Sequence, residues 1–139
     1  MVSAVVSRKV MLVEDSGMLR TQLGKMLELQ GHVVLQATQG KHAIRLLQTE
    51  TPDVVVTDIL MPEMDGLELV RVLRETGRRI PIVAISGGGE LAAPVCLRLA
   101  SLLGASATIR KPFRCQELFA LIDDLCRNPD RGDVTAKGE

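Results

Sequence analysis

Four short apolar runs in this chain each end on side chains capable of chemistry. Lys9-Val10-Met11-Leu12-Val13 meets Glu14-Asp15, and Val54-Val55-Val56-Thr57 meets Asp58. Ile82-Val83-Ala84-Ile85 meets Ser86, and Ala107-Thr108-Ile109-Arg110 meets Lys111-Pro112. Runs of this length, bounded by Pro, Asp or Gly, read as strands buried on both faces. The C-terminal ends of such strands are where open α/β sheets place their ligands. Each segment taken alone also has an ordinary reading. Asp58 would start a loop, Glu14-Asp15 would precede a helix, Ser86 would be solvated, and Lys111 would be a counter-ion. Brought together, the three acids repel unless a cation neutralises them. A few hard oxygen ligands with room for water suit Mg²⁺ (or Mn²⁺). Lys111 would then offer a point charge to a phosphoryl oxygen, and Ser86, followed by Gly87-Gly88-Gly89, a hydroxyl donor.

The elements that must position these groups alternate. Strands are expected near residues 9–13, 32–37, 54–57, 82–86 and 107–109. Between them lie stretches of helical periodicity. Helix one carries Leu19, Leu23, Met26 and Leu27 on one face, with Ser16 as its cap. Helix two uses Ala43, Leu46 and Leu47. Helix three follows Asp65-Gly66 with Leu69, Val72 and Leu73, and stops at Thr76-Gly77. Pro94 fits only a first turn, so helix four is expected to start near Ala93, after a Gly87–Ala92 loop. Helix five packs Leu118, Leu121, Ile122 and Leu125. Five such units predict a doubly wound, flavodoxin-like (βα)5 fold with a five-stranded parallel sheet in the order 2-1-3-4-5. In that order strands one and three flank the point where the winding reverses, which sets Asp15 against Asp58.

At 139 residues the chain is expected to be one domain, long enough to bury a core without staples. Its formal net charge is zero, so no basic footprint for nucleic acid is present. Cys96, Cys115 and Cys126 lack a Cys-x-x-Cys spacing and read as reduced thiols of a cytoplasmic protein. His32 and His42 show no ligand spacing. Residues 1–7 lack the basic and apolar regions of a signal peptide, and no stretch approaches a membrane span. The segments 1–7 and 128–139 are expected to be flexible tails, leaving no residues for an output domain.

Taken in order, Glu14-Asp15, Asp58, Ser86 and Lys111-Pro112, with the segment Asp58-Ile59-Leu60-Met61-Pro62-Glu63-Met64-Asp65-Gly66, give this chain its likeness. It resembles the receiver domain of two-component response regulators, the group that includes the chemotaxis regulator, over about residues 8–127. The resemblance implies a signalling domain, not an enzyme acting on an outside substrate. Asp58 would take a phosphoryl group from a sensor histidine kinase or a histidine phosphotransfer protein. Asp15 and Asp58 would hold Mg²⁺ with the Leu60 backbone carbonyl, Glu14 acting through water. Lys111 and Ser86 would bind phosphoryl oxygens. A stand-alone switch of this kind would act on a protein target, through the face built by helix four, strand five and helix five. The resemblance leaves both a monomer and a homodimer formed on phosphorylation open, and both isomers at Pro112.

The departures from the family pattern are Glu14 for Asp, Ser86 for Thr, and Thr108 where family members often carry Tyr or Phe. With no Tyr or Trp, and Phe only at 113 and 119, the aromatic part of the usual switch has no residue to perform it. Thr108 is the one feature that favours a receiver-like scaffold binding its partner without phosphorylation. An aspartyl phosphatase would want Asp-x-Asp where Asp58 is followed by Ile59-Leu60, and a flavin site would want aromatics.

Overall fold

A computed structural model of the chain describes residues 6–59, 65–87 and 93–127. The strands are β1 (Lys9–Val13), β2 (Val33–Ala37), β3 (Val54–Asp58), β4 (Ile82–Ser86) and β5 (Ala107–Arg110). The helices between and after them are α1 (Gly17–Leu29), α2 (Gly40–Leu47), α3 (Gly66–Glu75), α4 (Ala93–Leu103) and α5 (Cys115–Arg127). The sheet is parallel throughout, in the order β2-β1-β3-β4-β5, as expected. Of the two expected tails, 1–7 and 128–139, all but residues 6 and 7 lie outside the described residues.

Period-two alternation distributes the strand side chains between two cores. Met11, Val13, Val55, Ile82 and Ala84 face α2, α3 and α4. Val10, Leu12, Val54, Val56, Val83 and Ile109 face α1 and α5. Every residue of β3 and β4 is buried, which explains why both read as unbroken apolar runs. Each fully buried Val, Leu or Ile contributes about 1.5–3 kcal/mol of transfer free energy. The middle of the sheet is therefore a rigid platform for whatever stands at its end.

Local signals place the helices. The Ser16 hydroxyl accepts from the Leu19 amide at 3.3 Å, and the Asp65 carboxylate from the Glu68 amide at 2.9 Å, so both side chains cap helices. α4 begins at Ala93, where Pro94 placed it. Two expectations about helix faces need correction. In α3, Val70 is fully buried with Leu69 and Leu73, while Val72 is half-buried. In α1, Leu27 is buried but Leu19 and Met26 are 42% and 40% exposed. Both line an open groove beside α1 and are not packed into the core.

Candidate functional site

Register brings the acids together. Val13 pairs with Thr57 across β1 and β3, so the next residues, Glu14 and Asp58, come side by side. Glu14 still belongs to the ladder, its amide donating to the Ala37 carbonyl at 3.0 Å. Asp15 is the first exposed residue after it. One carboxylate oxygen from each of Glu14, Asp15 and Asp58 lies within 4.8 Å of the others. Ser86 ends β4 one residue beyond the Asp58–Ile85 pair and is 1% exposed, its hydroxyl donating to the Gly87 carbonyl at 3.4 Å. The Lys111 amide donates to the Ser86 carbonyl at 2.9 Å, holding the Lys111 backbone against the end of β4. From there the Lys111 ammonium reaches 3.8 Å from both Glu14 Oε1 and Asp58 Oδ2. The Lys111–Pro112 peptide is cis.

The electrostatics of this cluster are unfavourable as it stands. Burial pushes the Glu14 carboxyl up to about 7, and the charge of Asp58 adds to the effect. The Ser16 amide, which donates to Glu14 Oε2 at 3.1 Å, and the Lys111 ammonium pull the other way without reversing it. A carboxyl that takes up a proton near neutral pH, beside two more hard oxygen donors, fits a site that a small divalent cation would complete. The Leu60 carbonyl, expected as a further ligand, lies outside the described residues, as do loop residues 88–92 and the Cys96 side chain.

Three features of the site escaped sequence reasoning. Gly66 opens α3 against the end of β3: a Cβ there would stand 2.7 Å from the Ile59 Cα, and the Gly66 amide donates to the Ile59 carbonyl at 2.7 Å. The Asp-Gly pair signalled a turn, but not this close approach. The second is a groove of about 880 Å³ between α1 and the β5–α5 connection. Leu19, Leu23, Met26, Pro112 and Phe113 line it, and it ends at Glu14, Asp58 and Lys111. The exposed α1 residues were its only signal. The third is Arg20, whose guanidinium donates to the Glu14 carbonyl at 2.7 Å.

The remaining candidates fall away from the site. His32 and His42 accept backbone hydrogen bonds from Arg8 and Thr38 at 3.1 and 3.0 Å. Cys126 is half-buried, with its thiol pushed up to about 11 by burial, and Cys115 lies in the groove wall; both are free thiols. Thr108 is buried opposite Ala84.

With this geometry, comparison with known proteins is unambiguous. Residues 10–123 match the response regulator receiver domain, and the chain belongs to that family, the receivers of two-component phosphorelay signalling. Among curated relatives it is 36% identical over 127 residues to response regulator MprA of Mycolicibacterium vanbaalenii, covering 89% of this chain and 53% of that one. MprA of Mycobacterium leprae is 34% identical, with 91% and 54% covered. The chain thus spans about half the length of the curated relatives it matches. Among solved structures, the receiver domain of a signal transduction histidine kinase from Syntrophus aciditrophicus is 30% identical with a TM-score of 0.78, covering 91% of this chain and 95% of that one. The Francisella response regulator 1452 receiver domain is 26% identical with a TM-score of 0.79, covering 86% and 97%. No helix among the described residues is long and apolar enough to cross a membrane.

Proposed function

We propose that this domain accepts a phosphoryl group on Asp58 from a phosphohistidine donor, a sensor histidine kinase or a histidine phosphotransfer protein, in a Mg²⁺-dependent reaction. The observation that carries the reading is Lys111, 3.8 Å from both Asp58 and Glu14 at the end of a buried parallel sheet. An Asp58 carboxylate oxygen attacks the donor phosphorus in line. The P–O bond forms as the P–N bond breaks, and the imidazole nitrogen leaves with the bonding pair and takes up a proton. This chemistry asks little of a protein beyond positioning and charge. Lys111 offsets charge on a phosphoryl oxygen, and the Ser86 hydroxyl, turned from Gly87, donates to another. Asp15, Asp58 and the Leu60 carbonyl would hold Mg²⁺, with Glu14 acting through water. When bound, the cation offsets the carboxylate charges and the negative charge spread over the transferred group.

The apolar groove supports a protein donor. It opens at Asp58, so a donor helix lying along α1 can deliver its histidine while covering Leu19 and Met26. On the opposite side of the sheet, Val95, Leu99 and Leu102 of α4 are exposed at helical spacing, which supports output through the α4–β5–α5 face. Buried Thr108 lies in that face, so a switch here works without an aromatic rotamer change.

Acetyl phosphate with Mg²⁺ tests the reading. Mass spectrometry is expected to show one phosphoryl group on Asp58 in the wild type and none in Asp58→Asn. Equal incorporation in the variant refutes the assignment. No incorporation in the wild type, with beryllofluoride also without effect, favours the scaffold reading that Thr108 raises.

A further inference from the structure

Asp15 poses a positioning problem. It is exposed, it lies past the last ladder hydrogen bond of β1, and yet its carboxylate stays within reach of two buried acids. Arg20, in the first turns of α1, is built to solve it. Its Nη1 donates to the Glu14 carbonyl oxygen at 2.7 Å, a short charge-assisted bond. Its Nε donates to Gln36 Oε1 on the outermost strand β2 at 3.2 Å. One guanidinium therefore ties together α1, β2 and the connection that carries the acids.

The residue opposite Gln36 supports the same arrangement. A Cβ on Gly24 would stand 3.1 Å from Gln36 Nε2, tighter than an ordinary contact. Glycine inside a helix is less favourable than alanine. Here the missing side chain makes room for the Gln36 amide, which in turn orients Arg20. The peptide group is planar, so fixing the Glu14 carbonyl oxygen fixes the Asp15 amide in the same plane. The Asp15 Cα lies in that plane too, so the hold on the carbonyl restrains the point from which the Asp15 side chain starts.

We propose that Arg20, oriented by Gln36, is a positioning residue for the cation site: its hold on the Glu14 carbonyl keeps the Asp15 carboxylate aimed at Asp58. The inference rests on the Mg²⁺-dependent reading above and names the part of the chain that makes the acid cluster competent. It also makes an unusual prediction of sign. A positive charge near an acidic site weakens cation binding, so deleting Arg20 for its charge alone would tighten Mg²⁺. Deleting a clamp loosens it.

Calorimetric Mg²⁺ titration of the wild type, Arg20→Gln and Arg20→Lys decides between the two. The clamp predicts about a tenfold loss of affinity in Arg20→Gln, within the range for removing a supporting contact of a metal site. It predicts recovery of most of that loss in Arg20→Lys, whose ammonium can donate to the same carbonyl. In the metal-free protein the Glu14 carbonyl ¹³C resonance is expected to move in Arg20→Gln and to return towards its wild-type position in Arg20→Lys. A folded Arg20→Gln protein with unchanged or tighter Mg²⁺ binding overturns the proposal, as does a loss of affinity with an unmoved Glu14 carbonyl. If Arg20→Gln does not fold, Gln36→Ala serves, with a two- to threefold loss expected and no loss counting against the clamp. Wild-type protein that binds no Mg²⁺ overturns the cation reading itself, whereas wild-type binding with an indifferent Arg20 overturns only the clamp.

Discussion

At the N-terminal end of the sheet, opposite charges are paired. Lys9 Nζ lies 3.3 Å from Glu50, Arg8 3.4 Å from Asp123, and Asp53 accepts the Lys9 amide at 2.7 Å. At the C-terminal end, Glu14, Asp15 and Asp58 crowd together while Lys111 stands 3.8 Å from two of them. The pairs at the first end are only partly buried, so each is worth about 1 kcal/mol, and they tie strands to neighbouring elements. At the second end, burial of Glu14, with the charge of Asp58 added to it, raises its carboxyl to about 7. One end is arranged for stability, and the other keeps an unfavourable charge arrangement that a bound cation would relieve. Sites that bind and react are commonly held at such a cost.

The sharpest way to break this comparison is to remove Lys111. Lys111→Ala is expected to slow phosphoryl acceptance from acetyl phosphate by about a hundredfold, the scale for losing one group that stabilises developing charge. A rate within threefold of wild type would reduce Lys111 to a counter-ion, no different in kind from Lys9.

A smaller effect should follow pH. The folded pKa of Glu14 lies above its ordinary value of 4.5, at about 7. The folded protein therefore holds a proton that the unfolded chain gives up, and this group makes the metal-free protein less stable as pH rises between those values. Mg²⁺ competes with the same proton. Its affinity is expected to fall as pH drops below about 7, by up to about tenfold per pH unit, and to level off above it. Glu14→Gln should flatten that profile; a wild-type profile already flat between pH 5 and 8, read by calorimetry, would contradict the account.

The smallest expected effects are in stability, and they are opposite in sign at the two ends. Without Mg²⁺, Asp58→Asn is expected to raise stability by about 1 kcal/mol, since it removes one of the repelling charges. Asp53→Ala is expected to lower it by about 1 kcal/mol, the net worth of a lost hydrogen bond, and to leave phosphorylation unchanged. Urea denaturation of both variants measures this, and two shifts of the same sign would remove the distinction between the ends.

Much of this was legible beforehand because strand order, burial and strand-end chemistry leave local marks. Three acids, a serine and a lysine do not arise together at strand ends without the sheet that gathers them. Val54 to Thr57 reads as a doubly buried strand since both its faces are apolar, and the structure extends it through Asp58. Helix faces were less legible. Leu19 and Met26 share a stripe with Leu27, and periodicity says only which way a stripe points. Whether anything covers it depends on how the layers pack, and here Leu19 and Met26 line an open groove.

By itself the sequence determined the alternation of strands and helices, the sheet order and the residues that meet at its C-terminal end. These follow from period-two and helical patterning, from local signals such as the Ser16 cap and the Asp65-Gly66 turn, and from the right-handed crossovers that parallel strands require. Only the tertiary structure decided the rest. The Gly66 contact with β3, the open groove beside α1 and the Arg20–Gln36–Gly24 arrangement each depend on distances between elements far apart in the chain. A side chain's type announces what it can donate or accept, but the partner it meets is set by how the layers pack.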